Sequence, residues 1–208
     1  MFRELLRQRL SGTTSLTAQQ LHALEGHYQL LVHWNRVLNL TSIEDLAEVV
    51  ERHYCESIFL AVHLPASALR VADLGSGAGF PGLPLAILRP DCSVTLVEAH
   101  RRKAVFLREA SREIPNVRVL AARLEDIVEA PFDRVVSRAV SYKDLLPTLK
   151  RLGHAADLLT GEVAPPESLG FVWDAPIVLP WGRSRFLRSG VPRETGTSGV
   201  PRETPETA

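Results

Sequence analysis

Sulfur and long apolar runs are both scarce in this chain. Its 208 residues hold two cysteines, Cys55 and Cys92, in no CxxC spacing, and no two of its seven histidines fall into an HExxH or a Cys/His cluster. That excludes a disulfide framework and a zinc site as expectations and leaves two inert thiols. Nowhere do eighteen apolar residues run together, and Met1-Phe-Arg-Glu-Leu-Leu-Arg interleaves charge with apolar side chains. Neither a membrane span nor secretion is expected. Charge of one sign is also lacking. Lys plus Arg and Asp plus Glu both number 24, which removes any overall pull toward nucleic acid or an acidic membrane.

What is present fits one soluble domain of ordinary size with an appendage: 45% hydrophobic and 23% charged residues, enough chain to bury a core. The charge is unevenly spread. Residues 101–151 carry twelve Lys or Arg against seven Asp or Glu, and Arg183, Arg185 and Arg188 follow with no acidic residue between them. Most such runs are solvated helix faces, so by themselves they support RNA binding only weakly.

The first sixty-odd residues predict helices. Phe2, Leu5, Leu6 and Leu10 recur at helical spacing. Thr17 with Gln20 reads as a capping box ahead of an apolar stripe at Leu21, Leu24, Tyr28, Leu31 and Val32. The segment Trp34 to Thr41 breaks that pattern, and Ser42 with Asp45 suggests the next helix start. One face then continues through Leu46, Val49, Val50, Tyr54, Ile58 and Ala61 to a stop at Pro65. From residue 69 the texture changes to short apolar runs separated by glycines or helical patterns, as in a parallel α/β sheet. Strands are expected at 69–74, 93–98, 117–121 and 134–137, with helices at 81–88 and 101–113. Residues 175–179 and 185–188 around Pro180-Trp-Gly182 predict an antiparallel hairpin at the sheet edge. The domain reading is a helical cap over 1–65, a catalytic domain over 66–188 and a disordered tail over 189–208, where Ser-Gly-Val-Pro-Arg-Glu-Thr occurs twice.

The sharpest motif is Val71-Ala-Asp-Leu-Gly-Ser-Gly-Ala-Gly-Phe-Pro-Gly82. Gly75, Gly77 and Gly79 follow a strand directly, where positive φ and a missing Cβ let backbone wrap a nucleoside and helix-start N–H groups meet its negative end. A dinucleotide fold would want glycine where Phe80 stands, which argues against NAD. Glu98 closes the next strand, placed to accept both hydroxyls of a ribose, and Asp73 precedes the glycines where a carboxylate can orient an ammonium. Together these suit S-adenosylmethionine better than a pyrophosphate cofactor.

Leu31-Val-His-Trp-Asn35, Asn39-Leu-Thr41, Arg52-His53, the glycine motif, Lys103 with Phe106-Leu107, Arg123-Leu-Glu125 and Ser137-Arg-Ala139 occur in order over two-thirds of the chain. This pattern resembles the ribosomal RNA small subunit methyltransferase G family, also called glucose-inhibited division protein B. The resemblance implies a class I methyltransferase sheet with a Rossmann-like, mostly parallel order. It also implies a bacterial cytoplasmic enzyme that transfers methyl from S-adenosyl-L-methionine to N7 of one guanine in the decoding-region loop of 16S rRNA, with rRNA or the small ribosomal subunit as partner; a monomer is expected. Carried over by position, Gly75, Phe80, Leu124, Glu125 and Arg138 line the cofactor site, while Asn39, His53, Lys103 and Arg123 lie near the RNA face. A class I methyltransferase with another acceptor, or a non-catalytic assembly factor, are the rival readings. The chain departs from the family at Leu158-Leu-Thr-Gly161, where Thr160 stands at a lysine position, and its short, proline-rich 153–170 stretch predicts a remodelled or weakened sheet edge.

Guanine N7 has a free lone pair and no proton, so its methylation requires alignment and electrostatics and no general base. Arg138 is the expected positioning group, and Phe80, Tyr54 and Tyr142 are the aromatic candidates for holding the base. We predict that Arg138→Ala abolishes methyl transfer while the protein still folds; wild-type turnover in that variant would remove the role.

Overall fold

The computed structural model describes residues 1–128, 131–166 and 170–193. Helices α1 (Phe2–Arg9) and α2 (Ala18–Leu38) come first, followed by α3 (Leu46–Val49), a π-helical turn over Val50–Cys55, and α4 (Glu56–His63). The Thr17 capping box is present: its hydroxyl accepts from Gln20 N–H while the Gln20 side chain accepts from Thr17 N–H. Two expectations are corrected here. Trp34–Leu38 stay helical, and α2 stops only at Asn39, which takes a left-handed conformation (φ 47°). The next helix starts at Asp45, whose carboxylate accepts from Glu48 N–H, and not at Ser42.

The sheet strands are β1 (Arg70–Leu74), β2 (Ser93–Val97), β3 (Val117–Leu120), β4 (Arg134–Arg138), β5 (Ala156–Thr160), β6 (Phe171–Trp173), β7 (Ile177–Val178) and β8 (Phe186–Pro192). Between them lie α5 (Gly82–Leu88), α6 (Arg101–Ala110), a 3-10 turn at Leu124–Asp126 and α7 (Tyr142–Leu152). The order is β3-β2-β1-β4-β5-β8-β6, with β7 also on β8; β1 to β5 are parallel, and β8 runs antiparallel to β5, β6 and β7. The expected edge hairpin is there, with Ile177 opposite Leu187 and Val178 opposite Phe186.

The period of two along each strand sorts side chains between two cores. Val71, Leu96, Val136 and Leu159 face the core shared with α1, α2, α4, α5 and α6, while Ala72, Val97, Val135 and Leu158 face the one under α7. The N-terminal helices therefore share one continuous core with the sheet. The expected weakening after residue 153 is absent from β5, which is buried throughout and paired on both sides. Strand β8 also takes in Ser189–Pro192, the first residues of the expected tail; the rest of the repeat, from 194 on, lies outside the described residues.

One ion pair ties the helices to the edge hairpin. Glu56, fully buried on α4, accepts from Arg185 Nε at 3.0 Å and Nη2 at 2.7 Å, and Arg52 Nε lies 3.4 Å away. Trp181 in the hairpin turn donates its indole N–H to the Arg9 carbonyl of α1. Removing one partner of a buried pair leaves the other charge uncompensated. We predict that Glu56→Ala lowers unfolding free energy by about 3 kcal/mol in urea titration, more than Glu56→Gln, which keeps an acceptor.

Candidate functional site

The carboxyl ends of the parallel strands converge at the switch in strand order between β1 and β4, where open α/β sheets bind ligands. The glycine turn lies there. Gly75, Gly77 and Gly79 have φ of +74°, +54° and +91°, the left-handed region that the alternate glycines predict. At Gly77 a Cβ would meet only the Gly75 carbonyl, at 3.8 Å, so that face of the turn is open for a ligand to approach the backbone.

The first peptides of the turn are anchored to the sheet and the later ones fold back on them. Gly75 and Ser76 N–H both donate to the Val97 carbonyl, and Gly79 and Phe80 N–H to the Ser76 carbonyl. Glu98 accepts from Gly77 N–H at 2.9 Å and from His100 N–H at 2.7 Å, which puts its carboxylate beside the turn at the end of β2. Asp73 is fully buried. Its Oδ2 accepts from Gly82 N–H at 3.0 Å, the Ser76 hydroxyl donates to its main-chain carbonyl, and its Oδ1 has no hydrogen-bond partner among the described residues. Burial pushes the Asp73 carboxyl up to about 7, against the opposing pull of Ser76, the Gly82 amide and the Arg138 guanidinium.

A cleft of about 820 Å³ opens on the other side of the switch, between residues 39–43 of the helical region and the ends of β4 and β5. Arg52, Arg138 and Arg185 line it, with Glu162 as the acidic residue on its wall. The two halves touch at Val140, whose methyl would lie 2.5 Å from a Cβ on Gly75. Arg138, at the end of β4, stands over the Phe80 ring at 5.2 Å and donates to the Arg52 carbonyl and to His53 Nδ1 (2.8 Å). A guanidinium only donates, so His53 carries its proton on Nε2 and donates it to Thr41 Oγ1 at 2.8 Å. Burial, with Arg138 beside it, pulls His53 down to about 3, so the ring is neutral; burial also lowers Arg138, to about 10, which leaves it charged.

The sequence candidates separate into groups. Asn39, His53 and Arg138 line the cleft, and Gly75, Gly77, Gly79 and Glu98 form the turn. Leu124, Glu125 and Arg123 stand beyond β3, where Arg123 and Glu125 pair on the surface at 3.7 Å. Lys103 lies in the first turn of α6 and does not line the cleft. Two aromatic candidates are corrected: Phe80 is buried against His53 and Tyr54, and Tyr54 is fully buried with its hydroxyl on His27, so neither ring is free to stack a base. Tyr142 does line the cleft, donating its hydroxyl to the Val163 carbonyl. Residues missed by sequence reasoning are Arg52, which lay inside a quoted motif, and Arg185, visible only as one of a basic trio. At Thr160, which stands where the resemblance leads one to expect lysine, the hydroxyl accepts from Arg188 Nε at 3.0 Å, so a cation arrives from the neighbouring strand.

The family model for rRNA small subunit methyltransferase G matches residues 20–155. The ribosomal RNA small subunit methyltransferase G of Halorhodospira halophila is 43% identical over 144 residues, covering 68% of each chain. That of Methylobacillus flagellatus is 42% identical over 164 residues, covering 76% of this chain and 78% of that one. Among solved structures, a SAM dependent methyltransferase from Aquifex aeolicus superposes with a TM-score of 0.58 at 16% identity, over 74% of this chain and 97% of that one. The Methanococcus jannaschii fibrillarin pre-rRNA processing protein gives 0.53 at 15% identity, over 65% of this chain and 74% of that one. These two likenesses establish the class I methyltransferase fold.

Asp73 generates a pH-dependent prediction. A carboxyl held at about 7, above its ordinary 3.8, stabilises the fold fully below the lower value and loses that contribution as pH rises through the upper one. His27 and His53, buried neutral, act in the opposite direction at low pH, so the informative quantity is the difference between two proteins. We predict that Asp73→Asn gains stability relative to wild type as pH rises from about 4 to about 7, by denaturant unfolding at several pH values. A flat difference curve would mean that the carboxyl is not raised.

Proposed function

The chain belongs to the rRNA small subunit methyltransferase G family, and we propose that its acceptor is N7 of a guanine in the decoding-region loop of 16S rRNA. It is an S-adenosylmethionine-dependent enzyme that methylates 16S rRNA. The observation that carries the N7 reading is the cleft beside the glycine turn: three arginines line it, and among its described lining residues the one imidazole is His53 and the one carboxylate, Glu162, is solvent-exposed. His53 has both ring nitrogens engaged, and Glu162 is bonded to the Ser184 hydroxyl. An acceptor with a lone pair and no proton needs nothing more.

The residues present fit the cofactor. The buried Asp73 Oδ1, without a hydrogen-bond partner among the described residues, is an acceptor that would suit an ammonium group, the open side of Gly77 would admit close approach, and Glu98 would hold a ribose diol. The cofactor supplies an electrophilic methyl on its sulfonium; the chain supplies alignment. Gly75 to Gly79 fix the backbone of the donor side, and Val140 marks where donor and acceptor sides meet. Arg138 stays charged and is held by His53 and the Arg52 carbonyl, so its direction is set before RNA arrives. An attacking N7 must be left free, which assigns Arg138 and Arg52 to guanine O6 or a phosphate. Tyr142 is the aromatic face on the cleft that can hold the purine as positive charge spreads over it. On this reading the helical region over 1–65 gives the RNA entrance one wall through residues 39–43, Arg52 and His53, and the catalytic domain begins at 66 and extends past 188 to the end of β8 at Pro192. A monomer working in the cytoplasm suits this reading; among the described residues no helix is long and apolar enough to cross a membrane.

The test is transfer of labelled methyl from S-adenosylmethionine to small ribosomal subunits that lack the modification, then chain cleavage at N7-methylguanine. Label at one guanine of the decoding-region loop is expected. Label elsewhere would point to a different acceptor, and cofactor binding without any transfer to subunits or naked rRNA would favour an assembly role.

A further inference from the structure

Helix α2 reaches the glycine turn through one side chain that the reaction does not otherwise use. His27 is buried, with Nε2 3.0 Å from the Ala78 carbonyl and Nδ1 3.1 Å from the Tyr54 hydroxyl. A carbonyl can only accept, so Nε2 carries the proton. Burial lowers this histidine to about 4, so the ring is neutral, Nδ1 is bare, and Tyr54 donates to it. The relay therefore has one direction, from Tyr54 O–H to His27 and from His27 N–H to Ala78.

Ala78 sits between Gly77 (φ +54°) and Gly79 (φ +91°). Glycines on both sides let the intervening peptides rotate at little steric cost, which is useful for wrapping a ligand and harmful to holding one shape. The Ala78–Gly79 peptide is gripped at both ends: Gly79 N–H donates to the Ser76 carbonyl at 2.7 Å, inside the turn, and the Ala78 carbonyl is taken by His27 from outside it. The imidazole is packed against the turn as well, 5.1 Å from the Phe80 ring, and a Cβ on Gly79 would lie 3.3 Å from Nε2. His27 does not line the cleft, so it has no contact with an acceptor there.

We propose that His27 is a positioning residue for the cofactor: by holding the Ala78 carbonyl it fixes the glycine turn in its binding form before the ligand arrives, with Tyr54 setting the tautomer. Preorganisation of this kind acts on affinity, because a turn that must be ordered on binding takes that cost from the binding free energy. The inference rests on the S-adenosylmethionine reading of the turn.

His27→Phe keeps a ring of similar size and removes both hydrogen bonds; Tyr54→Phe removes only the hydroxyl. Titration calorimetry with S-adenosylmethionine and with S-adenosylhomocysteine is expected to show the dissociation constant raised about tenfold or more in His27→Phe and by a smaller factor in Tyr54→Phe. In the transfer assay the KM for cofactor rises in step, and kcat changes far less. Leu24→Ala, a core truncation on the same helix, separates positioning from general loosening: it lowers Tm and leaves the dissociation constant near wild type. If His27→Phe does not fold, Tyr54→Phe and the wild-type tautomer, read by long-range 1H–15N correlation of the imidazole, decide the matter. A proton on Nε2 with weakened binding in Tyr54→Phe supports the proposal. Wild-type affinity in folded His27→Phe overturns it, as do an equal loss in Leu24→Ala and a proton on Nδ1. Failure of the wild-type protein to bind either cofactor form would instead remove the cofactor reading beneath it, a result visible before any variant is made.

Discussion

The hydrogen bond from Gly82 N–H to the buried Asp73 carboxylate is the constraint on which the rest of the site depends. It joins the last residues of β1 to the first of α5 across the glycine turn, so both ends of a stretch with three positive φ values are fixed to regular structure. The space for it is tight, since a Cβ on Gly82 would press on the Asp73 side chain itself. A buried carboxylate with one oxygen unpaired is costly, and the fold tolerates it only at the switch point, where the neighbouring peptides already face the ligand side. The rest of the donor half is tied in between these fixed ends: Gly75 and Ser76 on the Val97 carbonyl, the Ser76 hydroxyl on the Asp73 carbonyl, Gly79 on Ser76, and Gly77 on Glu98.

The acceptor half is organised by charge. A chain with no net charge gathers Arg52, Arg138 and Arg185 around one cleft and sets the fully buried Glu56 behind them. Glu56 engages Arg185 in a bidentate pair and draws on Arg52, so the arginines are held in place without being neutralised one for one. Arg188 adds a further cation at Thr160. Positive charge kept in a concave, partly desolvated wall attracts phosphates far more strongly than the same charge scattered over a surface. This explains how a neutral protein serves a polyanionic substrate, and why overall charge said so little about its partner.

The parts of this structure that were legible in the sequence are those encoded by neighbours in the chain. The capping box at Thr17 and Gln20, the positive-φ glycines, the position of Glu98 and the edge hairpin around Trp181 all follow from residue type at fixed short spacing. Helix α7 escaped because Pro147 lies inside it, a residue that argues against a helix interior until the amphipathic packing of Leu145, Leu149 and Leu152 outweighs it. Phe80 was misjudged for the opposite reason. Its place in the motif marks it as exposed to a ligand, yet α2 and the π-helical turn bring His27, His53 and Tyr54 against it, contacts that span up to fifty-three residues of chain and leave no local trace. Glu56 left no local trace, lying off the apolar stripe of Tyr54, Ile58 and Ala61, and its role required Arg185 from the far edge of the sheet.

These long-range contacts have one effect in common: they make the helical region part of the site and not merely its neighbour. His53 passes from Thr41 to Arg138, aligning the acceptor cleft, while the Phe80 ring beneath Arg138 belongs to the donor turn. Phe80 thus packs on the same ring system that both halves use, and Val140 closes the gap between them at Gly75. Methyl transfer without a general base has only distance and direction to work with, so its rate is sensitive to small misplacements of either half. A shared aromatic and arginine stack, continuous with the core of α1, α2 and α4, means that displacing the helices displaces donor and acceptor walls together. The rigidity that such chemistry demands is therefore supplied by burial: neutral histidines, a guanidinium committed to backbone and imidazole, and glycines whose freedom is taken up by bonds from outside the turn.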